Sequence, residues 1–128
     1  MKRFSLFALL LPMLLPALVA ARESSQGPKF PSYAPAASVA GTTWVGADSD
    51  GHYYEYHFQA DGGLHYQSPS GFFKNGTWKQ DGDAIYMEMN QKYAEYRGRI
   101  SGKRMKGRAS NVTGKKWTWE AEKRQGRP

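Results

Sequence analysis

The sequence predicts an all-β fold: an antiparallel up-and-down barrel of about eight strands over residues 41–124. Three observations carry that reading. Short aromatic-rich segments follow one another from Thr43 to Lys123, Gly- or Asn-containing turns stop them roughly every ten residues, and apolar side chains recur at every second position. Successive side chains of a pleated strand point to opposite faces, so a sheet with one apolar face must wrap around a core.

The first segment opens at Gly41-Thr42-Thr43-Trp44 and stops at Asp48-Ser49-Asp50-Gly51. In the second, Tyr54, Tyr56 and Phe58 share the inward face, while Tyr53, Glu55, His57 and Gln59 share the outward one, up to Asp61-Gly62-Gly63. Leu64 and Tyr66 face inward in the third, which ends at Ser68-Pro69-Ser70-Gly71. The fourth carries Trp78 inward, but Phe72-Phe73 puts an aromatic on both of its faces before Gln80-Asp81-Gly82 closes it. Ile85, Met87 and Met89 line the fifth, up to Asn90-Gln91-Lys92. Tyr96, Gly98 and Ile100 line the sixth, and Met105, Gly107 and Ala109 the seventh, with Ser101-Gly102 between them. After Val112-Thr113-Gly114, Trp117, Trp119 and Ala121 line the last segment. Taking Ser101-Gly102 as a two-residue turn sets Ile100 against Lys103, Gly98 against Met105 and Tyr96 against Gly107. An eight-stranded interior is just wide enough for side chains or one small ligand, and Gly98, Gly107 and Ala109 are where room is expected.

Residues 1–21 read as a secretory signal peptide. Met1-Lys2-Arg3 is cationic, Phe4 to Leu18 is apolar but broken by Pro12 and Pro16, and Val19-Ala20-Ala21 offers small residues for cleavage. The apolar run is shorter than the roughly 20 residues of a spanning helix, so no transmembrane span is expected after cleavage. Residues 22–40, with Pro28, Pro31 and Pro35, read as a flexible linker, or alternatively as an arm that docks into a partner's cleft; residues 125–128 are a tail. There is no Cys, so a small domain must hold together by sheet closure and a ring-filled interior. The short signal points to a bacterial periplasm or the cell exterior.

The residues Gly41-Thr42-Thr43-Trp44, Asn75-Gly76-Thr77-Trp78 and Lys123-Arg124 give residues 41–124 a resemblance to the calycin-like barrels, the avidin, lipocalin and fatty-acid-binding architecture. In that group a Gly-x-Trp on the first strand packs under a basic residue that closes the base; here the spacing is Gly-x-x-Trp. The resemblance implies a binding protein. The residues themselves agree: rings with a polar edge suit a small apolar or aromatic ligand at a barrel mouth, and the candidates are Trp44, His52, Tyr54, Tyr56, Tyr66, Trp78, Tyr96 and Trp117.

Without Lys2 and Arg3, sixteen Lys and Arg stand against eleven Asp and Glu, a net charge of +5. That density is short of a nucleic-acid arm, and no specific nucleic-acid recognition is expected. The expected hairpin register sets Arg99 against Arg104 and Arg97 against Lys106 on the outer face, and Glu95 against Arg108. Arg97, Arg99, Arg104, Lys106 and Arg108 therefore form a ridge suited to an anionic surface or an exported protein partner, with Glu120 facing Lys106 and Glu122 facing Arg104 to offset it. His57 and His65 share an outer face, but the expected register leaves them diagonal and without further ligands, so no metal or cofactor is expected. No nucleophile elbow or paired acid and base stands out, so no enzyme is expected. Asn75-Gly76-Thr77 and Asn111-Val112-Thr113 match the glycosylation pattern by coincidence.

Overall fold

Where the turn residues let the chain reverse, strands begin and end. The computed structural model describes residues 36–126. It contains β1 (Thr43–Asp48), β2 (Tyr53–Phe58), β3 (Gly63–Ser68), β4 (Gly71–Asp81), β5 (Ala84–Met89), β6 (Ala94–Ser101), β7 (Arg104–Asn111) and β8 (Lys116–Lys123). Each strand pairs antiparallel with the next, and β1 closes on β8 from Trp44 opposite Lys123 to Asp48 opposite Trp119. The result is a closed eight-stranded meander barrel in which every strand has two partners. The expected signal peptide and the part of the expected linker up to residue 35 lie outside the described residues.

The inward faces are those read from the alternation. Trp44, Tyr56, Phe58, Leu64, Met87, Tyr96, Met105 and Trp119 are all buried. A bulge between Leu64 and Tyr66 resolves the ambiguity at Phe72-Phe73: Leu64 faces Gly76 but Tyr66 faces Phe73, so β4 carries one extra residue. The extra residue shifts the alternation, turning Phe73 inward beside Tyr66 and leaving Phe72 outside.

Two expected registers are corrected. The β6–β7 loop is Gly102-Lys103, not Ser101-Gly102, because Gly102 takes the left-handed backbone (φ 59) that the first turn position requires. Ile100 then faces Met105, Gly98 faces Gly107 and Tyr96 faces Ala109. In the β2–β3 hairpin Phe58 faces Leu64, and His57 sits directly opposite His65 rather than diagonal to it. The space expected at Gly98 is filled: a Cβ there would lie 2.8 Å from Cζ2 of Trp119 and 2.6 Å from the Lys106 carbonyl oxygen. Trp119 lies against Gly98 and sends its Nε1–H to the Arg108 carbonyl (3.3 Å).

The base of the barrel is closed by residues expected to be linker. Val39 is 2% exposed and belongs to the core, and Ala36 packs against it. Gln80, at the end of β4, fixes this stretch: its Oε1 accepts from Val39 N (2.9 Å) and its Nε2 donates to Ala37 O (3.0 Å). Thr42 Oγ1 donates to the Val39 carbonyl and accepts from Trp44 Nε1 (2.9 Å). The resemblance had led us to expect a basic residue over Trp44. Lys123 stands directly opposite Trp44 on β8, but neither it nor Arg124, which pairs with Glu55, stacks on the indole; the only cation stacked on a ring among the described residues is Arg97 on Tyr86.

Removing two methyl groups at this plug tests its contribution. Val39→Ala is expected to lower unfolding stability by about 2 kcal/mol in urea titration, the cost of a buried aliphatic truncation; an unchanged midpoint would mean that residue 39 is linker.

Candidate functional site

An up-and-down barrel has two ends, and strand direction decides which side chains reach each. The ends of odd-numbered strands and the starts of even-numbered ones meet at one rim. Trp44, Phe58, Leu64, Trp78, Ile85, Ile100, Met105 and Ala121 occupy the opposite half and fill it. At the mouth the filling stops, and a cavity of about 340 Å3 remains. That is the low end of the range for small-ligand pockets, enough for one or two fused rings.

Five of the eight expected ligand residues line it: His52, Tyr54, Tyr66, Tyr96 and Trp117. Tyr56 lies below them, buried and stacked on Tyr54 with ring centroids 5.9 Å apart. Trp44 and Trp78 are corrections, because both sit at the closed end. Trp78 donates to Gln59 O (2.8 Å) and meets Phe58 edge-on. Alternation told which face these rings take, but only strand direction tells which end, and Trp44 starts an odd strand while Trp78 ends an even one.

The ring framework is tightly coupled. Tyr96 meets Trp117 edge-on at 5.7 Å and Trp119 at 5.8 Å, and Tyr56 meets Trp119 at 5.9 Å. These contacts fix the floor without any ring needing to move. Trp117 Nε1 is buried beside the Tyr96 hydroxyl and makes no well-formed hydrogen bond among the described residues. A buried indole N–H left unpaired costs about 1–3 kcal/mol, and this one lies within the ring wall with essentially no surface of its own open to the cavity.

Other lining residues were missed by sequence reading. Phe73 was hidden by the bulge, and Tyr93 lies in a turn outside any alternating run. Asn75, set aside as part of a glycosylation pattern, accepts from the Tyr66 hydroxyl (2.6 Å) and from Asn90 N (3.3 Å). Asn111 likewise organises its own turn, its Oδ1 accepting from Thr113 N and Lys115 N. Asn90, Gln91 and Lys92 take left-handed backbone in succession (φ 53, 54 and 66), a strain of about 1 kcal/mol or more each for residues with a Cβ. That strained turn forms part of the rim.

The charged part of the rim is self-satisfied. Asp48 Oδ1 accepts from Asp50 N (3.0 Å) and His52 N (2.9 Å), Oδ2 lies 3.2 Å from His52 Nδ1, and Lys115 pairs with Asp50 at 2.8 Å. Asp48, Asp50 and His52 bring one ligand atom each within 4.8 Å, but these hydrogen bonds already occupy them. On the outer face, His57 stands opposite His65 with both ring nitrogens engaged, Nδ1 at Thr43 Oγ1 (3.0 Å) and Nε2 3.4 Å from Glu55.

The chain matches no protein family, no curated protein and no solved structure.

The outer ridge also has a corrected register. Arg97 faces Arg108 and Arg99 faces Lys106, while Glu95 faces Ser110 rather than Arg108. Arg104 leaves the ridge to pair with Glu122 at 2.9 Å, as its position opposite that residue on β8 predicts.

Burial raises the pKa values of Tyr54, Tyr56, Tyr66 and Tyr96 above the free phenol near 10, with neighbouring Tyr54 adding to the effect at Tyr96. The mouth therefore presents neutral phenols. An acid whose folded pKa is raised stabilises the fold fully below its unfolded value and loses that contribution as pH rises past it. Tm is expected to hold up to about pH 9.5 and to fall steadily toward pH 11.5, with a shallower fall in Tyr56→Phe/Tyr96→Phe; identical slopes would refute the assignment.

Proposed function

We propose that this chain is an exported, non-enzymatic binding protein of calycin-like kind that holds a small, flat, uncharged ligand in the barrel mouth. The observation that carries the reading is the cavity walled by rings at the one end of the barrel the core leaves unfilled, with the indole N–H of Trp117 buried and unpartnered in that wall. Aromatic walls supply apolar contact, and the neutral phenols of Tyr54 and Tyr96 supply a polar edge. The ligand class follows: one or two rings bearing a carbonyl or ring nitrogen to accept from that edge. Rigid ring packing below the cavity limits the ordering cost of binding. The cationic, Pro-broken apolar start supports export, and the compartment this reading assigns is a bacterial periplasm or the cell exterior.

A protein-interaction role is the second reading, and one observation favours it. Phe72 is 49% exposed on the outer sheet, with the rings of His57 and His65 edge-on to it at 5.9 and 6.1 Å. An exposed aromatic flanked by two imidazoles suits a partner's surface more than solvent.

Both readings meet one experiment. A panel of neutral one- and two-ring compounds, half of them lacking an acceptor, is titrated against tryptophan emission and Tm. Acceptor-bearing compounds are expected to shift emission and raise Tm, and Trp117→Phe, which removes part of the ring wall, to weaken them by about three- to tenfold. Trp78→Phe, at the closed end, should leave binding unchanged. Indifference to the whole panel, or hits that ignore Trp117→Phe and Tyr54→Ala alike, would refute the mouth as the site and leave the Phe72 surface.

A further inference from the structure

We propose a second binding site on the outside of the barrel, for a compact ligand carrying two or more phosphate charges taken from solution. It is independent of the mouth. The barrel's outer face over β4 to β7 holds a groove of about 720 Å3 whose rim carries Lys79, Arg97, Arg99, Lys106 and Arg108 against a single acid, Asp81. Its floor falls at Ala84, the small residue between Asp81 and Arg99 in register, and at the main chain of Gly98 and Gly107.

The cations are set against one another. Arg97 is directly opposite Arg108, and Arg99 directly opposite Lys106, on neighbouring positions of one face. Partners in a ladder stand roughly 5 Å apart and successive same-face positions roughly 7 Å, so four positive groups start from a patch of that size. Like charges so placed destabilise the sheet. Among the described residues little of this is neutralised: of the five groove cations only Arg99 is ion-paired there, with Asp83 at 2.7 Å. Lys106 faces Glu120 across β8 without forming a salt bridge.

One of the four is also held in place. Arg97 lies on the ring of Tyr86, 4.7 Å from its centroid. Tyr86 is itself anchored, its hydroxyl 2.9 Å from an oxygen of Glu88 and 2.9 Å from an oxygen of Glu95. A guanidinium fixed by stacking loses less freedom on binding and keeps its fork of donors for an oxyanion, which Arg meets in bidentate fashion.

The surroundings decide the size of the ligand. On the mouth side the next outer row is Glu88 opposite Glu95, and across β8 stand Glu120 and Glu122. A plane of anionic headgroups would press against those carboxylates as well as the cations. A compact polyanion lying in the groove meets the cations and, of the acids, only Asp81 at the rim.

The test uses inorganic pyrophosphate as probe, by calorimetry and Tm at low ionic strength, with phosphatidylglycerol vesicles as a second arm. Pyrophosphate is expected to bind and raise Tm, less so at high salt. Arg108→Gln, which keeps the Arg97–Tyr86 stack, and Arg97→Gln/Arg108→Gln should weaken it by about tenfold or more, while Lys74→Gln/Lys123→Gln, equal to the double variant in charge removed, should weaken it less than about twofold. The apo Tm of Arg108→Gln should equal or exceed that of the unmodified chain, since the variant relieves like-charge opposition; this separates lost binding from lost fold. Absence of any response to pyrophosphate, equal losses in the two double variants, or binding to vesicles alone would each overturn the proposal.

Discussion

Trp119, lying against Gly98, decides where this barrel is full and where it is empty. Eight strands enclose a bore that one layer of rings can block, and Trp119 with Tyr56 and Tyr96 forms that layer. Gly98 admits the indole because a Cβ would meet its Cζ2 at 2.8 Å. Below the layer the base is packed solid and stoppered by Val39; above it the remaining rings can only line a wall. The closed base, the rigid floor and the open mouth are consequences of one bulky side chain lying against one missing side chain.

The same economy of space explains how a small domain without disulfides holds its shape. Closing the sheet gives every strand two hydrogen-bonded neighbours, so no edge is left unpaired. The ends are then the only places where backbone or core meets water. Gln80 and Thr42 satisfy the main chain around Val39 at one end, and the Asp48 and Asn111 side chains satisfy the turns at the other. The open rim is thus built of turns whose polar groups are already bonded, which leaves the ring wall, Trp117 above all, as the part still lacking a partner.

Much of this was legible in the residues. The two-residue period of Tyr54-Tyr56-Phe58 or Ile85-Met87-Met89 assigns faces directly, and Gly-containing turns divide the chain, so strand number and inward faces follow. Register was not legible to the same degree. Moving the β6–β7 loop by one residue shifts every pair across it by two positions, which preserves which face each residue takes but changes its neighbour; the alternation of Arg97, Arg99, Lys106 and Arg108 looks the same either way. The doubled Phe72-Phe73 marked the bulge without revealing that Phe73 would be the inward member. Val39 carried no signal at all, because a lone apolar residue among Pro, Ala and Ser has no period. The mouth residues were half legible: face followed from alternation, but the end of the barrel follows only when strand polarity is counted, as Trp44 and Trp78 demonstrate.

The pairing of β1 with β8 has a consequence for the order of events in the cell. Strand Thr43–Asp48 takes its second partner from residues Trp119–Lys123, so the sheet cannot close until the last strand exists. An incomplete chain has two unpaired edges and an unblocked bore, since Trp119 belongs to that last strand. Contacts so distant in sequence form late and slowly. The native core can therefore form only once residues through Lys123 have been made, and every shorter chain keeps both edges open and its bore unblocked.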